Sequence, residues 1–73
     1  MKVKEVKILN NEVLKQLRKS NKFSQEEMAR TLDISLRAYQ LKEKGQNEFL
    51  FSEVIKLAEK FNISLMDFIN RVV

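Results

Sequence analysis

A chain of 73 residues with no proline and a single glycine, Gly45, contains almost nothing that interrupts a helix. Proline breaks helices by removing an amide, and glycine weakens them by loosening the backbone. Where both are scarce, helices are expected to dominate and to be separated by side-chain caps and short polar turns. The length sets one domain, which buries only about 60 % of the surface its unfolded chain would expose. The staples many small domains use are missing. There is no cysteine for a disulfide or thiolate zinc site, and no histidine, the commonest metal ligand and general base. The core must therefore come from aliphatic and aromatic side chains.

Apolar spacing becomes helical from Asn11, where Val13, Leu14 and Leu17 share a face and Lys15, Gln16, Arg18 and Lys19 fill the others. Asn10 or Asn11 supplies the cap, and Ser20-Asn21-Lys22 the turn. Ser24 and Glu27 have capping-box spacing and open a second helix with Met28, Ala29 and Leu32 inward. Asp33 and Ile34 make a tight turn, in which Asp tolerates a left-handed backbone. Ser35 opens a third helix that runs to about Lys44, with Gly45 as its stop. Residues 46–51 read as a loop. Phe51, Val54, Ile55, Leu57 and Ala58 then mark the buried face of a fourth helix. Ser64 with Asp67 forms a second capping box, opening a last short helix with Leu65, Phe68 and Ile69. Leu14, Leu17, Met28, Ala29, Leu32, Ile34, Ala38, Tyr39, Phe51, Val54, Leu57, Ala58, Phe61, Ile63, Leu65 and Phe68 make up the expected core. Residues 1–10 form a basic N-terminal arm for which a short strand, a frayed turn and a flexible tail all fit. Residues 11–73 form the folded domain.

Two short helices joined by a tight turn within a helical bundle are the layout of a module that reads DNA. Several segments then stand in order at matching spacing: Leu14-Lys15-Gln16-Leu17-Arg18, Phe23-Ser24-Gln25-Glu26-Glu27-Met28-Ala29, Leu32-Asp33-Ile34-Ser35, Tyr39-Gln40-Leu41-Lys42-Glu43-Lys44-Gly45, and Leu57 to Ile69. Over roughly residues 11–70 this set resembles the lambda-repressor/Cro (XRE-like) helix-turn-helix family. The resemblance implies an all-α, compact five-helix bundle with its helix-turn-helix in helices 2 and 3.

The resemblance also implies roles. Gln25 would meet a DNA phosphate at the start of helix 2, where unpaired amides and the helix dipole favour an anion. Ser35, Leu36, Arg37, Gln40, Leu41 and Lys44 would face DNA or a partner. Arg37 suits guanine and Gln40 adenine, because their forked ends match those base edges. Arg18 and Glu43 would form a structural ion pair between helices 1 and 3. The implied function is a small transcriptional regulator of a phage or mobile-element switch, binding double-stranded operator DNA through helix 3, with pairing of two copies.

Four departures support an alternative. Residues 1–22 carry seven basic and two acidic residues, residues 23–45 four of each, and residues 46–73 three and four, so the reading unit itself is neutral. The stretch Gln46-Asn47-Glu48-Phe49-Leu50 replaces a loop that is often basic with a candidate protein contact at Phe49 and Leu50. Leu36 and Leu41 stand at positions that are usually polar, and Lys42 at one often aliphatic or aromatic. Asp33 replaces a common turn glycine. The alternative is an antirepressor that uses the same face, with Arg37 and Lys42 pairing to acidic groups on a repressor protein. No enzyme is expected, for want of His, Cys, a glycine-rich phosphate loop or a carboxylate pair in an evident pocket. No metal, cofactor, small-molecule substrate or membrane partner is expected either, and the default location is the cytoplasm.

Overall fold

Four of the five helices in the described residues begin at a short polar side chain that accepts an otherwise unpaired amide. The computed structural model describes residues 10–73, together with the backbone of Glu5 and Val6. The chain runs β1 (Glu5–Val6), α1 (Asn11–Ser20), α2 (Gln25–Leu32), α3 (Leu36–Glu43), β2 (Phe49–Leu50), α4 (Phe51–Lys60) and α5 (Leu65–Val72). Asn10 caps α1, Ser24 caps α2, Ser35 caps α3 and Ser64 caps α5, each accepting from the amide three residues on. Ser24 and Glu27 complete a reciprocal box, with Glu27 Oε1 accepting from the Ser24 amide at 3.2 Å. The box expected at Ser64 and Asp67 forms only on the serine side. An aspartate is one methylene shorter than a glutamate, so its carboxylate falls short of the cap amide. α4 is the reverse case: Leu50 has no acceptor, and Glu53 alone reaches back to the Leu50 amide at 2.8 Å.

Four helices end alike, although only one has a glycine. Lys22, Asp33, Gly45 and Asn62 all take positive φ, between 58° and 85°. The amide after each closes onto the carbonyl five residues back, as Phe23→Arg18, Ile34→Ala29, Gln46→Leu41 and Ile63→Ala58. This is the Schellman closure, which satisfies carbonyls left open at a helix end. Three of the following residues, Phe23, Ile34 and Ile63, pack against the core. That contact offsets the strain of a left-handed Lys, Asp or Asn. Gly45 serves a second purpose, because a Cβ there would sit 2.9 Å from Asn11 Oδ1.

The helices surround a core in which Leu14, Met28, Tyr39, Phe49, Val54, Leu57, Phe68 and Val72 are buried. Phe61 links the aromatic layer, with ring centroids 6.2 Å from Phe23 and 5.8 Å from Phe68. Several expectations need correction. Phe49 and Val72 belong to the core, whereas Ile55 lies at the surface and Phe51 is only half-buried. The loop expected over 46–51 contains a strand: Phe49 and Leu50 pair antiparallel with Val6 and Glu5. Two residues of the arm are thereby tied to the bundle, and the rest of what was expected for residues 1–9 lies outside the described residues. A two-residue ribbon leaves the fold all-α. Among the described residues no helix is long and apolar enough to cross a membrane.

Candidate nucleic-acid interface

α2 and α3 are joined by Asp33, Ile34 and Ser35, with Asp33 left-handed at φ 58° and Ser35 extended. This sharp corner lets the two short helices pack on each other. Positions i, i+1, i+4, i+5 and i+8 of a helix lie on one side, and here those positions are Leu36, Arg37, Gln40, Leu41 and Lys44. Ser35, Arg37 and Lys44 are exposed, Leu36 keeps 39 % of its surface, and Gln40 and Leu41 are half-buried. Tyr39 and Glu43 lie on the opposite side of α3 and are buried. The helix is therefore anchored by one face and presents the other.

The anchor is centred on Glu43. Arg18 grips its carboxylate with two bonds, Nε to Oε2 at 2.8 Å and Nη2 to Oε1 at 3.2 Å. Tyr39 donates its hydroxyl to Oε2 at 2.7 Å, and Gln25 donates Nε2 to Oε1 at 3.1 Å. The remaining guanidinium arm, Arg18 Nη1, donates to the Phe23 carbonyl. A buried carboxylate is tolerated only when its lone pairs are filled and its charge is matched, and both conditions hold here. Burial pushes the Glu43 carboxyl up, but the bonds from Arg18, Tyr39 and Gln25 outweigh it and leave the group below its ordinary range. The Tyr39 phenol moves the other way, raised by burial and by its bond to Glu43. The Arg18 guanidinium is raised by its hydrogen bond to Glu43.

The structure places Gln25 between Glu43 and Gln40. Its Oε1 accepts from Gln40 Nε2 at 3.2 Å. Gln25 and Gln40, read separately in the sequence as a phosphate ligand and a base reader, are thus in contact. Beside them a cleft of about 290 Å³ is lined by Asn11, Glu12, Lys15, Gln25, Glu43 and Lys44. From the sequence Lys15 stands only off the apolar face of the first helix, with no functional role. Because it lies one turn before Arg18, and Arg18 is pinned to the end of α3, Lys15 flanks the end of α3. That i, i+3 relation was the signal available.

Phe49, Leu50 and Lys42 differ from the sequence reading. Phe49 is 1 % exposed and packs edge-on to Tyr39 at 6.2 Å, so it is core and not a contact surface. Leu50 is half-buried in β2. Lys42 is not available to a partner's acidic group, because it already pairs with Glu53 and sits 5.8 Å from the Phe49 ring centre. The buried apolar ring and the Glu53 carboxylate together accommodate a lysine where a hydrophobic residue was expected.

A comparison with known families matches residues 11–72 to a helix-turn-helix domain. No curated protein and no solved structure matches the chain. The matched span covers every helix described above, including the α2–α3 corner and the face of α3 that it presents. The chain accordingly belongs to the helix-turn-helix domain family, of the XRE/Cro-like type.

Proposed function

We propose that this protein is a sequence-specific transcriptional regulator that inserts α3 into the major groove of an operator. The observation that carries this reading is the division of α3 into an anchored side, Tyr39 and Glu43, and an outward side, Leu36, Arg37, Gln40, Leu41 and Lys44. A major groove admits one helix and offers donors, acceptors and thymine methyls to such a face. Arg37 suits the two acceptors of guanine, and Leu36 suits a thymine methyl. Lys15 and Lys44, which line one cleft with Gln25, would meet backbone phosphates, and Ser35, at the N-terminal end of α3, would lie close to the groove. One module of this size makes too few base contacts for tight specificity, so two copies would bind a two-fold site. Met66 and Val73 on and after α5 keep 68 % and 53 % of their surface and suit such a pairing.

The antirepressor reading keeps Leu36 and Leu41 but has lost the Phe49 surface and Lys42. Direct operator binding is therefore favoured. Anisotropy of a labelled duplex from upstream of the protein's own gene, measured across a salt series, tests it. The expected result is binding tighter than to scrambled DNA, with affinity falling as salt rises by about one log unit per log of salt for each phosphate neutralised. Equal affinity for specific and scrambled duplexes would overturn it and make a neighbouring repressor the next partner to test.

A further inference from the structure

Glutamine is ambiguous as a reader, because its carbonyl and amino ends are similar in size and swap by a half-turn of the side-chain amide. Which end points out is decided by the hydrogen bonds the amide makes. In this protein those bonds form a directed series. Glu43, as a carboxylate, can only accept, and it faces Gln25. Gln25 must therefore turn its amino end to Glu43, which leaves its carbonyl facing α3. That carbonyl can only accept in turn, and it takes a bond from Gln40 Nε2. Gln40 is thereby held with its amino end inward. Among the described residues its Oε1 and its second N–H have no protein partner.

We propose that Glu43 and Gln25 are positioning residues that fix the polarity of the Gln40 amide and so set its base preference. The inference rests on α3 being the DNA-reading helix, and it names the specificity of that same face. Held this way, Gln40 presents one acceptor and one donor side by side. That pair complements adenine, whose major-groove edge offers the N6 amino donor and the N7 acceptor. The reversed amide would present two donors, which complement the N7 and O6 acceptors of guanine. The series thus selects adenine over guanine at the base Gln40 meets. It also gives the buried ion pair a consequence at the surface, because the Arg18–Glu43 contact orients the carboxylate from which the series starts.

The test uses the full chain and the variant Gln25→Met, which keeps the side-chain length but neither donates nor accepts as an amide does. Arg18 and Tyr39 remain to hold Glu43. Gln25→Ala is made in parallel in case the longer side chain repacks, and thermal melting checks that each variant is folded. The first readout is the side-chain amide pair of Gln40 in nitrogen–proton spectra, assigned by its disappearance in Gln40→Ala. In the parent protein one Gln40 amide proton is expected to be shifted downfield and slow to exchange with solvent. Both variants are expected to lose that signature. The second readout is selection from a pool of random duplexes. The parent is expected to recover an adenine that both variants recover weakly, with discrimination against guanine falling roughly five- to hundred-fold, the span of one bidentate base contact. Gln40 signals unchanged in either folded variant, or an adenine preference that survives both, would overturn the proposal. If the parent recovers no sequence while its Gln40 amide signature is present, the DNA-reading assignment fails and the amide orientation stands.

Discussion

Two buried ion pairs lie side by side at the end of α3, and they are built differently. Glu43 is held by both arms of an arginine fork, a phenol and an amide, so donors from α1, α2 and α3 converge on one carboxylate. Lys42 meets Glu53 through a single ammonium contact, and Glu53 is otherwise engaged by the Leu50 amide at the start of α4. A guanidinium fork has a fixed geometry, whereas an ammonium is a point charge on a flexible stem. The first pair therefore specifies where α3 sits against α1 and α2. The second fills a gap between α3, β2 and α4 with a side chain that can adjust. The orientation of α3 is set by the first joint.

The most severe way to break this contrast is Glu43→Ala. It leaves a buried guanidinium without its anion and frees the Tyr39 and Gln25 donors at once. Removing one partner of a buried pair costs about 3–5 kcal/mol, a large part of the stability of a domain this small. Thermal melting should show the midpoint falling by roughly 15 °C or more, or no cooperative transition at all. A shift of only a few degrees would mean that the joint is wet and that the two pairs are alike.

Acid should act on the same joint more gradually. Glu43 is held below its ordinary value of 4.5 in the folded chain. The stability it contributes is therefore complete above that value and is lost as pH falls through the lower, folded one. Denaturant unfolding followed from pH 7 to pH 3 should show stability declining mainly below about pH 4.5, and Glu43→Gln should flatten that part of the curve. Tyr39 carries the opposite sign. Its raised phenol favours the folded state below its ordinary value of 10.0, and that contribution declines as pH rises beyond it.

Why some of this could be read from the sequence and some could not is a matter of range. The caps at Asn10, Ser24 and Ser35 are local, since a short polar residue and the amide three positions on are enough. Gly45 as a helix stop is local too. Lys22 and Asn62 end helices in the same left-handed conformation, but nothing about a lysine announces it. The reason lies in the next residue, Phe23 or Ile63, finding the core. Phe49 was misread because it follows the polar run Gln46-Asn47-Glu48, while its strand partner Val6 and its ring partner Tyr39 lie elsewhere in the chain. Arg18 and Glu43 were named only through the family resemblance, being 25 residues apart with no local pattern. The bond between Gln25 and Gln40 joins two polar residues whose separate roles had been imported whole, and only the packing of α2 on α3 brings their amides together.

Gly45→Ala tests the α1–α3 joint from its backbone side. Alanine at φ 85° is strained, and its Cβ would stand 2.9 Å from Asn11 Oδ1, inside contact distance. The left-handed conformation alone costs an L-residue about 1–2 kcal/mol, and the Asn11 side chain must also shift. Unfolding by urea should register about 2 kcal/mol. Loss of less than about 0.5 kcal/mol would mean that the end of α3 can move away from α1, contrary to the rigidity inferred from the arginine fork.

The smallest effect is expected at Lys42→Met, the counterpart of Glu43→Ala in the looser joint. Methionine has about the same reach and lets its thioether rest near the Phe49 ring that the Lys42 ammonium now stands over. Glu53 loses the ammonium but keeps the Leu50 amide, and it stands in the first turn of α4, where the helix dipole favours a negative charge. Arg18 likewise keeps the Phe23 carbonyl and the last turn of α1 when Glu43 is removed, but that change also strands the Tyr39 and Gln25 donors, which Lys42→Met does not. The net change should therefore stay within about 1 kcal/mol, with the urea slope unaltered. A loss approaching that of Glu43→Ala would show that a lysine can hold α3 as firmly as the fork does. In that case the orientation of α3 would depend on both joints equally.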